Sequence, residues 1–218
     1  VLTELAAGDG RIRLLKNEKN LGLAATLNRC LAQAQGTYIA RMDCDDVSLP
    51  ERFARQKQWL EAHPEVAAVG SAVEYMDDRG DVYGMTPHPE ERLYGLSDVV
   101  RGSALVHPSV MLRTEALRAV GGYSVDTLTT RAEDYDLCEH GGRVANMGEI
   151  LFRYREDASN LVRRKYKYRI QEARLKAAWV KRAGLPLPVY RYALKPLLVG
   201  LIPLGLYKKL HRKRLTGE

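Results

Sequence analysis

The sequence predicts an α/β fold in which a parallel sheet is covered by helices. Short apolar segments rich in β-formers alternate along the chain with segments whose apolar residues recur at helical spacing. Three carboxylates also stand where one apolar segment ends, and ligands collect at the ends of strands in such sheets. Because strand, helix and strand follow one another, we expect a right-handed βαβ unit.

This βαβ unit is predicted near the N-terminus. Residues 12–15, IRLL, form a short apolar strand candidate. Leu23, Leu27 and Leu31 then recur at helical spacing and indicate a helix. Residues 37–43, TYIARMD, are rich in β-formers and predict a buried strand that ends at the carboxylates.

The alternation continues towards the C-terminus. Pro50 suits the first turn of a helix, and residues 66–76 predict a strand that turns back at 77–80. The remaining candidates are strands at 82–85, 109–113 and 149–155 and helices at 90–100, 131–137 and 160–183.

Composition is that of a globular protein from a reducing cytoplasm. Apolar residues make up 45% and charged residues 28% of the chain, which is ordinary for a soluble domain. Cys30, Cys44 and Cys138 are far apart and have no metal-ligand spacing, so neither a disulfide framework nor a zinc site is indicated. Residues 1–160 carry a net charge of −7 and residues 161–218 one of +14, which favours two parts with different roles.

The carboxylates of the ARMDCDD segment predict a site for a divalent cation. If strand geometry continued to Asp45, Asp43 and Asp45 would share one face. Two adjacent carboxylates with open coordination positions suit Mg²⁺ or Mn²⁺ bound to a nucleotide diphosphate. In the alternative interpretation, Asp46 or Ser48 caps the helix that begins near Pro50.

A second acidic group, Glu133, Asp134 and Asp136, follows the GGY segment at residues 121–123. One of these carboxylates can act as general base towards an acceptor hydroxyl. Alternatively, they are acids at a helix N-terminus, favoured there by the helix macrodipole. Their spacing leaves both interpretations open.

Taken together, these segments resemble family 2 glycosyltransferases of the GT-A fold. The resemblance is carried by residues 17–71 and by HPSVMLR, VGGY, AEDYDL and ILFRYR, in that order, and it covers residues 8–157. It implies a Rossmann-like nucleotide-diphospho-sugar transferase. Such an enzyme moves a sugar from a nucleotide-diphosphate donor to a hydroxyl, with inversion at the anomeric carbon.

The resemblance also implies roles for individual carboxylates. The DxD motif of the family falls on Asp43 and Asp45, with Asp46 beside them, so these three would bind Mg²⁺ or Mn²⁺. The ED motif falls on Glu133 and Asp134, and Asp134 would be the catalytic base.

Three further residues are assigned to the donor pocket. Asn20 and Gly22 match the loop that the family places near the nucleotide. His107, in HPSV, is interpreted either as a pocket residue or as an ordinary loop histidine. The implied partners are a nucleotide-diphospho-sugar and a hydroxyl acceptor, a glycan or a lipid-linked sugar, in polysaccharide or glycolipid synthesis.

Three departures from the family pattern stand out. No counterpart of the family's first strand precedes Val1, so we expect a GT-A sheet that lacks its first strand or strands. CEHGGR follows AEDYDL at once, where the family continues a helix. Glu156 and Asp157 stand where members often have His, so Asp157 either replaces that metal ligand or is exposed to solvent. The first two departures favour an alternative, a non-catalytic remnant or membrane-bound accessory module, whereas the intact DCDD and AED segments favour the enzyme.

The predicted division is a partial GT-A domain at residues 1–157 and a basic helical extension at 158–218. Twelve uncharged residues at 196–207 precede KKLHRKR, whereas a membrane-spanning helix needs about 20. We therefore predict an interfacial segment on anionic lipid at the inner face of the cell membrane. The alternative is a helix packed on the domain with a solvated charged end. Nucleic acid is not an expected partner, because the body is acidic and lacks an aromatic and basic platform.

Overall fold

A mixed sheet forms the centre of this computed structural model, which describes residues 1–87, 89–102, 105–125, 143–156 and 166–217. The strands are β1 (Tyr38–Ala40), β2 (Val47–Ser48), β3 (Val66–Met76), β4 (Val82–Met85), β5 (Arg92–Tyr94), β6 (Met111–Arg113) and β7 (Arg143–Arg155). The helices are α1 (Leu2–Gly8), α2 (Leu23–Gln33), α3 (Arg52–Ala62), α4 (Leu96–Arg101), α5 (Thr114–Ala119), α6 (Tyr166–Arg182), α7 (Tyr190–Gly200) and α8 (Leu204–Thr216). Short 3₁₀ turns lie at His107–Ser109 and Leu187–Val189.

The strands are ordered β1-β6-β3-β7-β2, and β4 and β5 pair with β3 and β7 respectively. The two long central strands, β3 and β7, run parallel, with Val69 opposite Ala145 and Gly70 opposite Asn146. The other pairings between described strands are antiparallel. The α/β class is therefore confirmed, but the sheet is mixed rather than parallel.

Helices cover both faces of the sheet. Val144 and Ala145 are consecutive residues of β7, so their side chains lie on opposite faces. Val144 belongs to the apolar cluster that contains Trp179 of α6, and Ala145 belongs to the cluster that contains Trp59 of α3. Helix α6 thus completes the core of the sheet even though it lies within the basic extension.

The first predicted strand does not form. Residues 12–15 have no regular structure, and Ile12, Leu14 and Leu15 are exposed, because none of the described strands pairs with them. The predicted βαβ unit is therefore wrong at its first strand. Strand β1 instead pairs with β6 in antiparallel fashion.

A second correction concerns residues 90–100, which were expected to be helical. Residues 92–94 form β5 because their backbone pairs with β7, and the helix is confined to α4. The helix predicted at 160–183 is confirmed over the described range of α6. The helix predicted at 131–137 lies outside the described residues.

Candidate functional site

A turn gathers the three aspartates that follow β1. Strand β1 ends at Ala40, and the N–H of Asp46 donates to the carbonyl of Asp43 over 3.4 Å. The strand therefore does not continue to Asp45, and the prediction that alternation places Asp43 and Asp45 on one strand face is wrong. The turn brings them together instead.

The carboxylates of Asp43, Asp45 and Asp46 form a compact cluster, in which one oxygen from each lies within 4.8 Å of the others. Asp46 is buried, Asp43 is half-buried and Asp45 is exposed, so the cluster opens to solvent on one side. Neighbouring carboxylates repel one another unless a cation or hydrogen bonds offset their charge. The cluster thus meets the basic requirement of a site for a hard cation.

Asp46 has an unfilled position that fits such a cation. Its Oδ1 accepts the backbone N–H of Arg155 over 2.8 Å. Its Oδ2 is buried and has no hydrogen-bond partner in the described part of the chain. Burial, with smaller contributions from the charges of Asp45 and Asp43, raises the pKa of Asp46 to about 6. A cation beside Oδ2 would supply the missing partner and favour the ionised form.

The capping interpretation of these residues is wrong. Helix α3 begins at Arg52, its N-cap residue is Glu51, and no side chain caps it. Asp46 is bonded to β7, and Ser48 lies in β2 opposite Phe152.

Arg41 supplies a buried positive charge beside the cluster. The residue is 7% exposed, and its Nη2 donates to Asp43 Oδ1 over 2.8 Å. Its Nε and Nη1 are also buried, and within the described ranges they have no acceptor. A guanidinium with two vacant donors next to a carboxylate cluster matches the oxygens of a phosphate.

Arg52 fixes the backbone that carries Arg41. It is fully buried, and its Nη2 donates to the carbonyl of Arg41 over 2.8 Å and to that of Val110 over 3.3 Å. Its Nε donates to Gln56 Oε1 over 3.0 Å, and its guanidinium lies 4.8 Å from the centre of the Phe152 ring. Burial lowers the pKa of Arg52 to about 10, so it stays charged at neutral pH. Through Arg52, helix α3 thereby fixes the backbone at the start of the aspartate turn.

Arg155, at the end of β7, holds the same turn from another side. Its Nε donates to the carbonyl of Asp45 over 2.8 Å, and its Nη1 donates to the carbonyl of Asp77 over 2.6 Å. Sequence reasoning missed the roles of Arg41, Arg52 and Arg155. Arg41 and Arg52 flank the acidic segment at residues 42–51, and that position was the available signal.

His107 lies close to this buried charge. Burial, together with the charge of Arg41, lowers the pKa of His107 to about 3, so its ring is neutral at neutral pH. Its ring centre is 5.8 Å from that of Tyr123 in an edge-to-face arrangement. Asn28 of α2 holds Tyr123 in place through two hydrogen bonds with its backbone, of 2.7 and 2.8 Å.

None of the described contacts brings the remaining candidate residues to the aspartate cluster. Asn20 Oδ1 accepts the N–H of Gly22 over 2.9 Å, and Gly22 adopts φ 82° just before α2. No hydrogen bond or ion pair of the described structure joins either residue to the aspartates. Glu156 accepts the Tyr83 hydroxyl over 2.5 Å and lies 3.1 Å from His211 Nε2 of α8. The other acids named from the sequence, Glu133, Asp134, Asp136 and Asp157, lie outside the described residues.

Comparison with known proteins connects this geometry to a family. The model of the family described as Glycosyl transferase family 2 matches residues 1–121. The chain is 37% identical over 212 residues to the putative glycosyltransferase EpsE of Bacillus subtilis (strain 168), a match that covers 95% of this chain and 75% of EpsE. It is 31% identical over 216 residues to the amylovoran biosynthesis glycosyltransferase AmsE of Erwinia amylovora, covering 92% of this chain and 76% of AmsE.

A solved structure shows the same fold. TarS residues 1–349 of S. aureus, in complex with UDP-GlcNAc, match this chain with a TM-score of 0.62 at 15% sequence identity. The match covers 97% of this chain and 59% of that chain, so this chain spans less than two thirds of the TarS structure. The predicted GT-A fold is confirmed by this similarity.

Proposed function

Because this chain belongs to glycosyl transferase family 2, we propose that it transfers a sugar from a nucleotide-diphosphate donor to a hydroxyl, with inversion at the anomeric carbon. Family membership makes it a glycosyltransferase, and its similarity to AmsE supports a role in polysaccharide synthesis. The proposed acceptor is a glycan or a lipid-linked sugar. The observation that carries the proposal is the buried Arg41 with vacant donors beside three clustered aspartates.

The aspartate cluster would hold the cofactor, Mg²⁺ or Mn²⁺. Asp43, Asp45 and Asp46 offer oxygen ligands, which both ions prefer, and leave the solvent side open for a diphosphate. When bound, such an ion neutralises charge that develops on the leaving diphosphate. Since the pKa of Asp46 is raised to about 6, protonation of this ligand competes with the cation below that pH.

Arg41 would bind the donor diphosphate directly. Its vacant Nε and Nη1 can donate to phosphate oxygens while Nη2 remains on Asp43. Because Arg52 already fixes the Arg41 backbone, these donors need little reorganisation when negative charge develops on the leaving group. The neutral His107, together with Asn20 and Gly22 of the loop before α2, would complete the donor pocket.

Asp134, with Glu133 beside it, would act as the catalytic base. In the proposed reaction the Asp134 carboxylate removes the proton from the acceptor hydroxyl. The hydroxyl oxygen bonds to the anomeric carbon on the face opposite the leaving group, and the bond to the nucleotide diphosphate breaks. The resemblance of the AEDYDL segment to the family motif supports this assignment.

A non-catalytic accessory module is the second candidate. It is favoured by Glu156, which stands where family members often carry His but here pairs with Tyr83 and with His211 of α8. In that case the cluster would bind a nucleotide and a cation without turnover.

We place the reaction in the cytoplasm, at the inner face of the cell membrane. Residues 161–218 contain 16 Lys and Arg but 2 Asp and Glu, and the inner leaflet carries anionic lipid that attracts such segments. In this proposal residues 1–157 carry the catalytic site and residues 158–218 carry the contact with lipid, although α6 also serves the core.

Titration calorimetry of UDP, GDP and dTDP with Mn²⁺, alongside a transfer assay, tests the proposal. Asp45→Asn should weaken Mn²⁺-dependent nucleotide binding about tenfold or more, whereas the exposed Asp78→Asn in the β3–β4 turn should leave it unchanged. Asp134→Asn should keep nucleotide binding but lose transfer. The proton spectrum of the product should show an inverted anomeric centre.

Two results would decide against it. Equal nucleotide affinity in wild type and Asp45→Asn would reject the cation site. Tight Mn²⁺-dependent nucleotide binding, with no turnover for any donor and acceptor, would establish the accessory module instead.

A further inference from the structure

Helix α7 presents an uncovered stripe of leucines. Leu194 and Leu198 of α7 and Leu201, the C-cap residue of the helix, are spaced by four and three residues, so they lie along one side. They are 57%, 66% and 69% exposed. The other side of α7 is buried through Ala193 and Pro196. A contiguous apolar stripe of this kind on an exposed surface indicates a binding partner.

Helix α8 repeats the arrangement on the far side of a bend. Leu206 and Leu210 are one turn apart and about half exposed. The opposite side of α8 is docked on β4, where Leu215 is buried and packs against Gly84. A methyl group built on Gly84 would lie 2.9 Å from Leu215 Cβ, so the two backbones approach closely. The docking therefore keeps Leu206 and Leu210 outward.

Cations surround both leucine stripes. Arg191 and Lys195 flank the stripe on α7, and the Lys and Arg residues of α8 are all exposed. The Lys and Arg residues of α8 are Lys208, Lys209, Arg212, Lys213 and Arg214. The sequence has no Asp or Glu between Glu172 and Glu218. The surface therefore combines apolar side chains with positive charge that no neighbouring acid in the sequence compensates.

Insertion across a bilayer does not fit this pattern. Of the helices in the described ranges, no single one is long and apolar enough to span a membrane. Residues 187–200 and 204–216 meet that test when combined, but they are bent by 119°. A charged side chain at the bilayer centre is costly, and α8 carries five. The two helices are suited to lying in the interface, with leucines towards the acyl chains and cations towards the headgroups.

We infer that the leucines and cations of α7 and α8 form a docking surface for an anionic lipid bilayer. A second copy of the chain would bring the same uncompensated cations face to face, which is unfavourable. Nucleic acid would match the charge but would leave the leucines in contact with phosphate and water. A bilayer with anionic headgroups satisfies both. This assignment rests on the proposed location at the membrane, but its test does not use sugar transfer.

Flotation of the full chain with vesicles tests the docking surface. Vesicles of phosphatidylcholine with phosphatidylglycerol should carry the protein upward at low salt, and pure phosphatidylcholine vesicles should not. High salt should weaken binding, because it screens the contribution of the cations. Each Lys or Arg replaced by Gln on α8 should lower the partition coefficient about fivefold.

A leucine variant separates apolar insertion from simple charge attraction. Leu194→Ser/Leu198→Ser/Leu201→Ser should lower binding to anionic vesicles about tenfold or more. The matched control is Leu2→Ser/Leu5→Ser/Leu14→Ser, which changes three exposed leucines near the N-terminus. It should bind vesicles as wild type does. Circular dichroism confirms that both variants are folded.

Three outcomes would overturn the inference. The first is that wild type stays in the bottom fraction with anionic vesicles or floats equally with neutral ones. The second is that the leucine variant and the control variant lose vesicle binding to the same degree. The third is that light scattering detects a dimer, which the leucine variant converts to monomer while vesicle binding is unchanged. That result would assign the surface to a second copy of the chain. Loss of sugar transfer with retained flotation would reject the proposed reaction and leave the docking surface standing.

Discussion

The aspartate turn and the C-terminal helices use positive charge in opposite ways. At the turn, Arg41 and Arg52 are buried, and Arg52 is bonded to the carbonyls of the backbone that carries the site. On α8, Lys208 and Lys209 are exposed, and no ion pair in the described structure involves them. Burial strengthens the electrostatic interactions of Arg41 and Arg52, and their hydrogen bonds fix their geometry. Solvent screens the charges of Lys208 and Lys209.

This difference explains why the net charge of +7 gives a poor indication of function. A buried guanidinium with fixed neighbours can recognise one phosphate in one orientation. A group of exposed lysines attracts an extended anionic surface without selecting its orientation. We therefore expect changes in the buried arginines to alter stability and catalysis, and changes in the exposed cations to alter association.

The largest expected effect on stability comes from Arg52. Arg52→Met leaves the carbonyls of Arg41 and Val110 and the amide of Gln56 without their buried donor, and should lower the free energy of unfolding by about 3–5 kcal/mol. Lys209→Met, which removes an exposed cation, should change it by about 0.5 kcal/mol or less. Urea denaturation measures both. Equal losses in the two variants would remove the distinction between the regions.

The next effect concerns catalysis at the turn. Arg41→Met removes the vacant donors beside the aspartates and should lower kcat for sugar transfer by about 10²–10³-fold. Arg41→Lys keeps the charge but lacks the planar fork, so it should restore only part of this loss. Steady-state kinetics with the donor that the wild type turns over provide the measurement. Full activity in Arg41→Met would show that Arg41 does not contact the donor.

The sequence predicted a strand or helix correctly where its own apolar pattern was sufficient to specify the element. Residues 66–76 have a long apolar run, and they form β3 at the centre of the sheet. Residues 12–15 are equally apolar but have no described partner strand, so they remain irregular. Residues 92–94 form a strand only because β7 lies beside them. Local propensity predicts an element, but its neighbours decide whether it forms.

The same distinction applies to the candidate site. The spacing of Asp43 and Asp45 was sufficient to predict a cluster, because residues so close in sequence stay close in space. The geometry was wrong, because it assumed a strand in place of a turn. Arg155 lies about a hundred residues later in the chain. Its side chain makes one hydrogen bond to the Asp45 carbonyl in the turn and one to the Asp77 carbonyl, and both depend on how β7 is paired. No local pattern can show a contact of that kind.

The third prediction tests how firmly the C-terminal helix is attached. A Cβ at Gly84 would lie 2.9 Å from both Cβ and the carbonyl oxygen of Leu215. Gly84→Ala should therefore cost about 1–3 kcal/mol and raise hydrogen exchange in α8. Gly205→Ala is the control within α8, where a Cβ has open space, and it should stabilise the helix by about 0.5–1 kcal/mol. If Gly84→Ala leaves exchange in α8 unchanged, the helix is not held by this contact.

The smallest effect is expected at Glu156, which links the two regions. Its neighbour Arg155 holds the aspartate turn, while its own carboxylate accepts the Tyr83 hydroxyl and lies beside His211 of α8. Contact with His211, and then with Tyr83, holds the pKa of Glu156 below its ordinary value of 4.5. A lowered pKa means that the ionised form stabilises the fold. This stability is present above pH 4.5 and is lost as the pH falls through the pKa of the folded protein.

Glu156→Gln should remove that part of the acid sensitivity. Because Glu156 and His211 are each about a quarter exposed, the cost at neutral pH should be less than about 1 kcal/mol. Hydrogen exchange of α8 should rise in wild type as the pH falls below 4.5, after correction for the intrinsic exchange rate, and should be nearly independent of pH in Glu156→Gln. Glu149→Gln removes a carboxylate paired with Arg55, away from α8, and should leave the pH dependence of α8 as in wild type. If the two variants behave alike, Glu156 does not couple the C-terminal helix to the strand that holds the aspartate turn.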